Sequence, residues 1–311
     1  MMREDEIVRL LSDLTTPEQV QTAVPLSGMT TMHVGGPADV VVTPYGLEET
    51  KKVIGRLIEE DVPWVVLGRG SNVLASDIGY DGVVVRIAEN LQNLRMEGNT
   101  LIAQAGATLT SIARWAGAKG FAGMEFASGI PGTLGGGIYM NAGAYGGEMK
   151  DIVTKVRVLD MTGQVIELSN EEMQFGYRYS ILQKKTWVVL EAELQLTKDD
   201  PEAIKARMKE LARKRREKQP LDEYSSGSTF KRPEGHFAGA LIEQAGLKGY
   251  AVGGAKVSEK HAGFVINTGE ANCREVVELI HQIMVKVKET SGVELEPEVR
   301  YLAPGGLDVL R

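Results

Sequence analysis

Two glycine-rich segments are the places where this chain's backbone is equipped for chemistry. In Gly68-Arg69-Gly70-Ser71-Asn72-Val73-Leu74, two glycines permit a left-handed backbone, so successive amides can converge on an anion, and Ser71 and Asn72 add side-chain donors. The segment has neither the Lys-Ser/Thr ending of a nucleoside-triphosphate loop nor the GxGxxG spacing of the dinucleotide fingerprint. By itself, a tight turn after a strand accounts for it as well as a phosphate nest does. The second segment, Gly129-Ile130-Pro131-Gly132-Thr133-Leu134-Gly135-Gly136-Gly137, continues through Asn141-Ala142-Gly143-Ala144-Tyr145-Gly146-Gly147 without a charged residue. Its Ile130, Leu134, Ile138, Tyr139 and Met140 are apolar and belong in a core, which sets it apart from a flexible linker. Two such segments in one chain suit a large ligand that combines a diphosphate with a planar ring.

Other chemistries find less support. His33, His236, His261 and His281 are scattered outside metal-ligand spacing, so no metal site is expected. Cys273 is the only cysteine, which excludes an internal disulfide and a thiolate cluster and fits a reducing compartment. A net charge of -7 argues against nucleic acid as the main partner. The run 205–218 carries eight basic and two acidic residues. It reads either as a solvated helix with Met208, Leu211 and Ala212 on its buried side or as a patch facing phosphates. No apolar stretch reaches the roughly 18 residues of a membrane helix, and the acidic start Met1-Met2-Arg3-Glu4-Asp5-Glu6 does not suit a signal peptide. A soluble cytoplasmic protein is the expectation.

The elements that must position these segments predict an α+β chain. A helix is expected over 4–14, a strand over 39–43, a helix over 47–60 and a strand over 64–67, a strand-helix-strand crossover that implies a parallel pair. A strand at 82–86 extends that small sheet. From residue 91 the pattern changes to hairpins, with strands at 93–96, 100–105, 153–160, 165–168 and 187–196 and a helix at 109–119. After the basic helix come a short helix at 238–245, a strand at 263–267 and a long helix to Glu289. Asn272 and Glu275 have capping-box spacing for that helix, Val276, Val277, Ile280, Ile283, Met284 and Val287 form its buried stripe, and Gly292 stops it before a last strand at 293–302. Domain boundaries are placed at 1–25, 26–90, 91–200 and 201–311: a helical extension, a small parallel-sheet lobe, a mixed or antiparallel lobe, and a separate α+β domain.

The two glycine segments, in this order, resemble the FAD-binding module of the vanillyl-alcohol oxidase superfamily, in which such a pair of lobes holds the cofactor. Four more motifs extend the likeness: Gly176-Tyr177-Arg178-Tyr179-Ser180, Gly227-Ser228-Thr229-Phe230-Lys231, Ser258-Glu259-Lys260-His261-Ala262-Gly263 and Leu295-Glu296-Pro297-Glu298-Val299-Arg300. Together, over 26–302, they are similar to the UDP-N-acetylenolpyruvoylglucosamine reductase family in its shorter form. The resemblance implies that 26–90 and 91–200 bind FAD and that 201–311 binds substrate. FAD would be held by Gly68, Arg69, Gly70, Ser71, Asn72, Val73 and Leu74, and in the second segment by Gly129, Pro131, Gly132, Thr133, Gly135, Gly136, Asn141, Gly143 and Tyr145. With no histidine between residues 68 and 81, it would be bound non-covalently.

The implied reaction has two halves: NADPH reduces FAD, and the flavin reduces the enolpyruvyl ether of a UDP-sugar to a lactyl ether, giving UDP-N-acetylmuramate for peptidoglycan. By motif match Ser228 delivers the proton, with Lys231 as electrostatic help, while Arg178 and Glu298 stabilise the enol-like intermediate. Arg300 suits the substrate carboxylate, Lys218 the UDP diphosphate, and Tyr177 and His261 the substrate side. Where the family pattern often reads Lys-Asn-Pro this chain has Lys231-Arg232-Pro233, which removes an amide at that place. No separate nicotinamide fingerprint occurs, an absence that one pocket used in turn by NADPH and substrate would explain; a monomer without nucleic-acid or membrane partners is expected. Two rivals remain at this stage: an oxidase or dehydrogenase of the same flavin fold acting on a hydroxy acid or alcohol, and a non-catalytic nucleotide-binding regulatory module.

Overall fold

The structure is a computed structural model that describes residues 2–88 and 90–310. Internal contacts divide the chain into two units, each built from discontinuous segments. Unit 1 comprises Met1–Gln21, Val40–Gly68 and Val84–Arg215, and unit 2 comprises Thr22–Asp39, Arg69–Val83 and Arg216–Arg311. One unit boundary falls inside the first glycine segment, between Gly68 and Arg69.

Unit 1 is organised on a five-stranded sheet in the order Val165–Ser169, Val153–Leu159, Val188–Gln195, Thr100–Gln104, Leu94–Glu97, antiparallel throughout. Alternation makes it: Val156 and Val158 are fully buried, while Arg157 between them reaches the carboxylate of Glu191, which Arg95 also holds. The helix Leu109–Ala118 starts at Thr108, whose hydroxyl accepts from the Ser111 amide, and buries Leu109, Ile112, Ala113 and Ala116. The basic helix, Pro201–Lys218, approaches it at Gly117, where a Cβ would stand 2.9 Å from Met208 Cε and 3.0 Å from Ile204 Cγ2. The buried residue of this helix is Ile204; Met208, Leu211 and Ala212, expected on its buried side, are only half-buried. Its outer face is solvated and paired, Arg207 with Glu125 and Asp199, Arg213 with Glu210.

A separate four-stranded sheet runs Val20–Pro25, Pro37–Val42, Tyr80–Arg86, Trp64–Leu67. The helix Leu47–Glu59 forms as its periodicity predicts. The strands on either side of it are not neighbours, however, because Tyr80–Arg86 lies between them. The reason is in its composition: Val83, Val84 and Val85 are each fully buried, and a continuous apolar run belongs in the middle of a sheet. The N-terminal helix ends at Leu11, earlier than expected.

Unit 2 holds a sheet in the order Tyr224–Ser225, Val265–Asn267, Ala255–Val257, Ala251–Val252 and the long helix Cys273–Ser291. Val276, Leu279, Ile280, Ile283 and Val287 of that helix enter one core with Val257, Val265, Leu241 and Leu74. Its N-terminus is capped twice. The Asn272 side chain accepts from the Glu275 amide in the expected capping box, and the Asp77 carboxylate accepts from Cys273 N at 2.8 Å and Arg274 N at 2.9 Å. Gly292 ends the helix at φ 73°, as expected of a glycine cap. The strand expected at 293–302 begins only at Arg300, since Pro297 has no N–H to give to a ladder. Arg300–Ala303 lies between Gly306–Val309, antiparallel, and Val73–Ala75, parallel. Among the described residues no helix is long and apolar enough to cross a membrane.

Candidate active site

The first glycine segment leaves a run of backbone donors unused. Among the described residues, the amides of Arg69, Gly70, Ser71 and Asn72 donate to no group of the chain. Gly70 has φ +60°, the conformation that turns successive amides toward one centre. Asn72 fixes the end of the run in unit 2: its Nδ2 donates to the Glu298 carbonyl at 3.2 Å, and its own carbonyl accepts from Arg300 N at 2.9 Å. Val73 and Leu74 then enter the strand Val73–Ala75, and Leu74 is wholly buried in the unit 2 core, so its side chain serves the scaffold.

Within unit 1, Gly68 lies against the second glycine segment. A Cβ on Gly68 would stand 2.4 Å from Thr133 Oγ1, so only glycine fits at that position. Thr133 caps the short helix Leu134–Tyr139, and the Leu134 and Gly135 amides donate to the carbonyls of Ala107 and Ala105. Gly135 and Gly136, the latter bonded to the Thr133 hydroxyl, thus have amides engaged inside the protein. The amides of Gly132 and Thr133 find no acceptor among the described residues. Asn141 is fully buried at φ +43°. Its side-chain amide donates to Glu148 and to the Gly176 carbonyl, and its oxygen accepts from Lys150 N. Its side chain is therefore a brace for the loop. Tyr145, at φ +53°, is exposed.

One residue of this region was illegible in the motifs. Arg215, near the end of the basic helix, brings its guanidinium to the second segment, where a Cβ on Gly129 would stand 2.9 Å from its Nη1. Burial pulls its pKa down, opposed by nearby Tyr145. The basic run is therefore a solvated helix along most of its length that delivers one half-buried cation to the glycine segment. Tyr177 and Arg178 occupy the tip of a tight turn closed by reciprocal Gly176 and Tyr179 bonds. Arg178 Nη2 donates to the Gly143 carbonyl at 3.1 Å.

Unit 2 gathers the remaining motifs. The Thr229 amide donates to Gly263 O at 2.9 Å, its hydroxyl accepts from Val265 N at 3.0 Å, and its carbonyl accepts from Glu298 N at 2.8 Å. Lys231 N donates to Glu296 O at 2.9 Å, and the Lys231 ammonium pairs with the Glu296 carboxylate. Three stretches far apart in sequence are thereby pinned around Thr229, and the residue before it, Ser228, presents its side chain to solvent. Glu298 is half-buried, Arg300 is buried, and Lys218 is exposed at its helix end.

His261 is half-buried, with Nδ1 accepting from Gly263 N at 3.1 Å. Burial lowers its pKa from 6.5, and the charges of Lys248 and Lys218 act in the same direction against Glu243. The unfolded chain then takes up the proton more readily than the folded one. The stability linked to His261 is complete above pH 6.5 and is lost as the pH falls from there toward the folded pKa. His261→Gln should flatten the decline of the thermal-unfolding midpoint between about pH 7.5 and 5.5; a decline as steep as wild type would contradict this assignment.

Comparison with known proteins decides the family. A model described as FAD binding domain matches residues 38–169, and one described as UDP-N-acetylenolpyruvoylglucosamine reductase, C-terminal domain, matches residues 219–302. The UDP-N-acetylenolpyruvoylglucosamine reductase of Caldanaerobacter subterraneus subsp. tengcongensis is 52% identical over 294 residues, covering 94% of this chain and 97% of that protein. The chain belongs to the UDP-N-acetylenolpyruvoylglucosamine reductase family. The Clostridioides difficile reductase is 47% identical over 302 residues, with 97% and 99% coverage. The crystal structure of the reductase from Thermus caldophilus superposes with a TM-score of 0.79 at 36% identity, covering 91% of this chain and 98% of that one. The chain is therefore an FAD-dependent oxidoreductase with the α+β architecture that its motifs led us to expect.

Proposed function

We propose that this reductase uses NADPH to convert UDP-N-acetylglucosamine enolpyruvate to UDP-N-acetylmuramate, a peptidoglycan precursor, and that it works as a cytoplasmic monomer. The observation that carries the reading is the pinning of Ser228, Glu298 and Arg300 through Thr229 and Asn72 inside unit 2. These residue types, so held, answer the demands of this substrate. FAD, when bound, supplies the hydride that adds to the terminal vinyl carbon. The resemblance assigns FAD to both glycine segments; in the first, the amides of Arg69, Gly70, Ser71 and Asn72 are a donor set suited to an anionic diphosphate.

As the hydride arrives, negative charge builds on the adjacent carbon and its carboxylate. Arg300 meets the carboxylate with a two-pronged donor, while Arg178 and Glu298 polarise the enolate-like group. Ser228 then gives its hydroxyl proton to the carbon, which completes the lactyl ether. A serine hydroxyl is a poor acid in water, so its orientation by the immobilised Thr229 is what makes it serviceable. Lys218 accompanies the UDP diphosphate, with Tyr177 and His261 beside the sugar nucleotide.

The purified protein should show a flavin absorption spectrum, and NADPH oxidation should depend on the enolpyruvyl UDP-sugar. NADPH oxidation that does not depend on that sugar, or reduced flavin that it fails to reoxidise, would refute the proposed substrate.

A further inference from the structure

We infer that Gln183 is a positioning residue for Arg178, holding the guanidinium-bearing turn in a backbone conformation that arginine does not favour. The inference rests on the role proposed for Arg178. That residue has φ +54° at the third position of the Gly176–Tyr179 turn, a place where glycine or asparagine is usual. For a side chain as long as arginine the left-handed backbone is unfavourable, so the surroundings must impose it.

They do so from both ends of the turn. Asn141 Nδ2 donates to the Gly176 carbonyl at 2.8 Å. Gln183 Nε2 donates to the Arg178 carbonyl at 2.9 Å and to the Tyr139 carbonyl at 3.1 Å, with Met140 Sδ at 3.7 Å. A primary amide has two N–H donors, and these two carbonyls take both. Ser180, fully buried, adds a bond from its hydroxyl to the same Tyr139 carbonyl at 2.9 Å. Tyr139 is the last residue of the short helix Leu134–Tyr139 in the second glycine segment. Gln183 therefore ties the carbonyl of Arg178 to the end of that helix, while the Arg178 guanidinium reaches Gly143 of the same segment. The turn can neither flip its last peptide nor move away from the glycine segment without breaking these bonds.

Gln183→Leu keeps the side chain's bulk and removes both donors; Gln183→Glu puts a carboxylate against two carbonyl oxygens and repels them. Two readouts test the role. The first is independent of activity: trypsin should cleave after Arg178 about fivefold or more faster in either variant, because the peptide is no longer held. The second is the oxidation of pre-reduced flavin by the enolpyruvyl UDP-sugar, which should slow by about tenfold or more while flavin content and flavin reduction by NADPH stay within about twofold of wild type. In an Arg178→Gly background, where glycine adopts the turn unaided, Gln183→Leu should have no further effect on that step. Unchanged cleavage, an additive effect in the double variant, or loss of bound flavin would overturn the inference. Wild-type protein that shows no reaction with the UDP-sugar, together with faster cleavage in the variants, would leave the brace standing and remove the function it is proposed to serve.

Discussion

Ser228→Ala is expected to leave flavin reduction by NADPH within about twofold of wild type and to slow the reoxidation of reduced flavin by the enolpyruvyl UDP-sugar by about 10²–10⁴-fold, the range for loss of a general acid. Stopped-flow absorbance at the flavin band separates the two steps. The asymmetry is the informative part. Ser228 is exposed, and the bonds that fix this stretch belong to Thr229 on either side of the peptide, so the alanine variant removes a hydroxyl and no scaffold contact. Equal losses in both steps would place Ser228 in cofactor binding or folding and refute its role as proton donor.

Gly70→Val should produce a protein that purifies without flavin. Gly70 has φ +60°, and a Cβ there would stand 2.2 Å from the Met29 carbonyl oxygen and 2.8 Å from Thr30 Cα, so backbone on one side or the other must move. Left-handed strain alone costs on the order of 1–3 kcal/mol, and displacement of the nest loses the converging amides as well. FAD affinity should fall by about 100-fold or more, measured by titrating flavin-free protein and following flavin fluorescence. Stoichiometric flavin in the purified variant would mean that the amides of Arg69, Gly70, Ser71 and Asn72 do not hold the cofactor.

Legibility in the sequence followed the range of the interactions. The helix Cys273–Ser291 declared both its ends, because Asn272, Glu275 and Gly292 act on neighbouring backbone and need no tertiary partner. The hairpins around Val153–Leu159 were legible in the same way, through alternation and turn residues. The helix Leu134–Tyr139 was not, since three consecutive glycines each disfavour helix by about 1 kcal/mol. It forms because Thr133 caps it and because Leu109 packs at Gly137, where a Cβ would be 3.0 Å away. Val73–Ala75 is too short to show a period, and its pairing with Arg300–Ala303 depends on a partner at the other end of the chain. At the site, short motifs named Ser228 and Arg178 as candidates through the family resemblance, and the proposal for them rests on it. Those motifs could not single out Arg215 from its basic run, nor point to Gln183, because what distinguishes these two is which backbone they reach.

The bond between Asn72 and Glu298 spans 226 residues along the chain, and the one to Arg300 reaches further still. Such a pairing cannot exist on a nascent polypeptide until nearly everything between its partners has been synthesised. The three-residue strand Val73–Ala75 therefore stays unpaired on the ribosome until Arg300–Ala303 has emerged, and if the first glycine segment holds the flavin as proposed, capture of the cofactor waits for the far end of the chain.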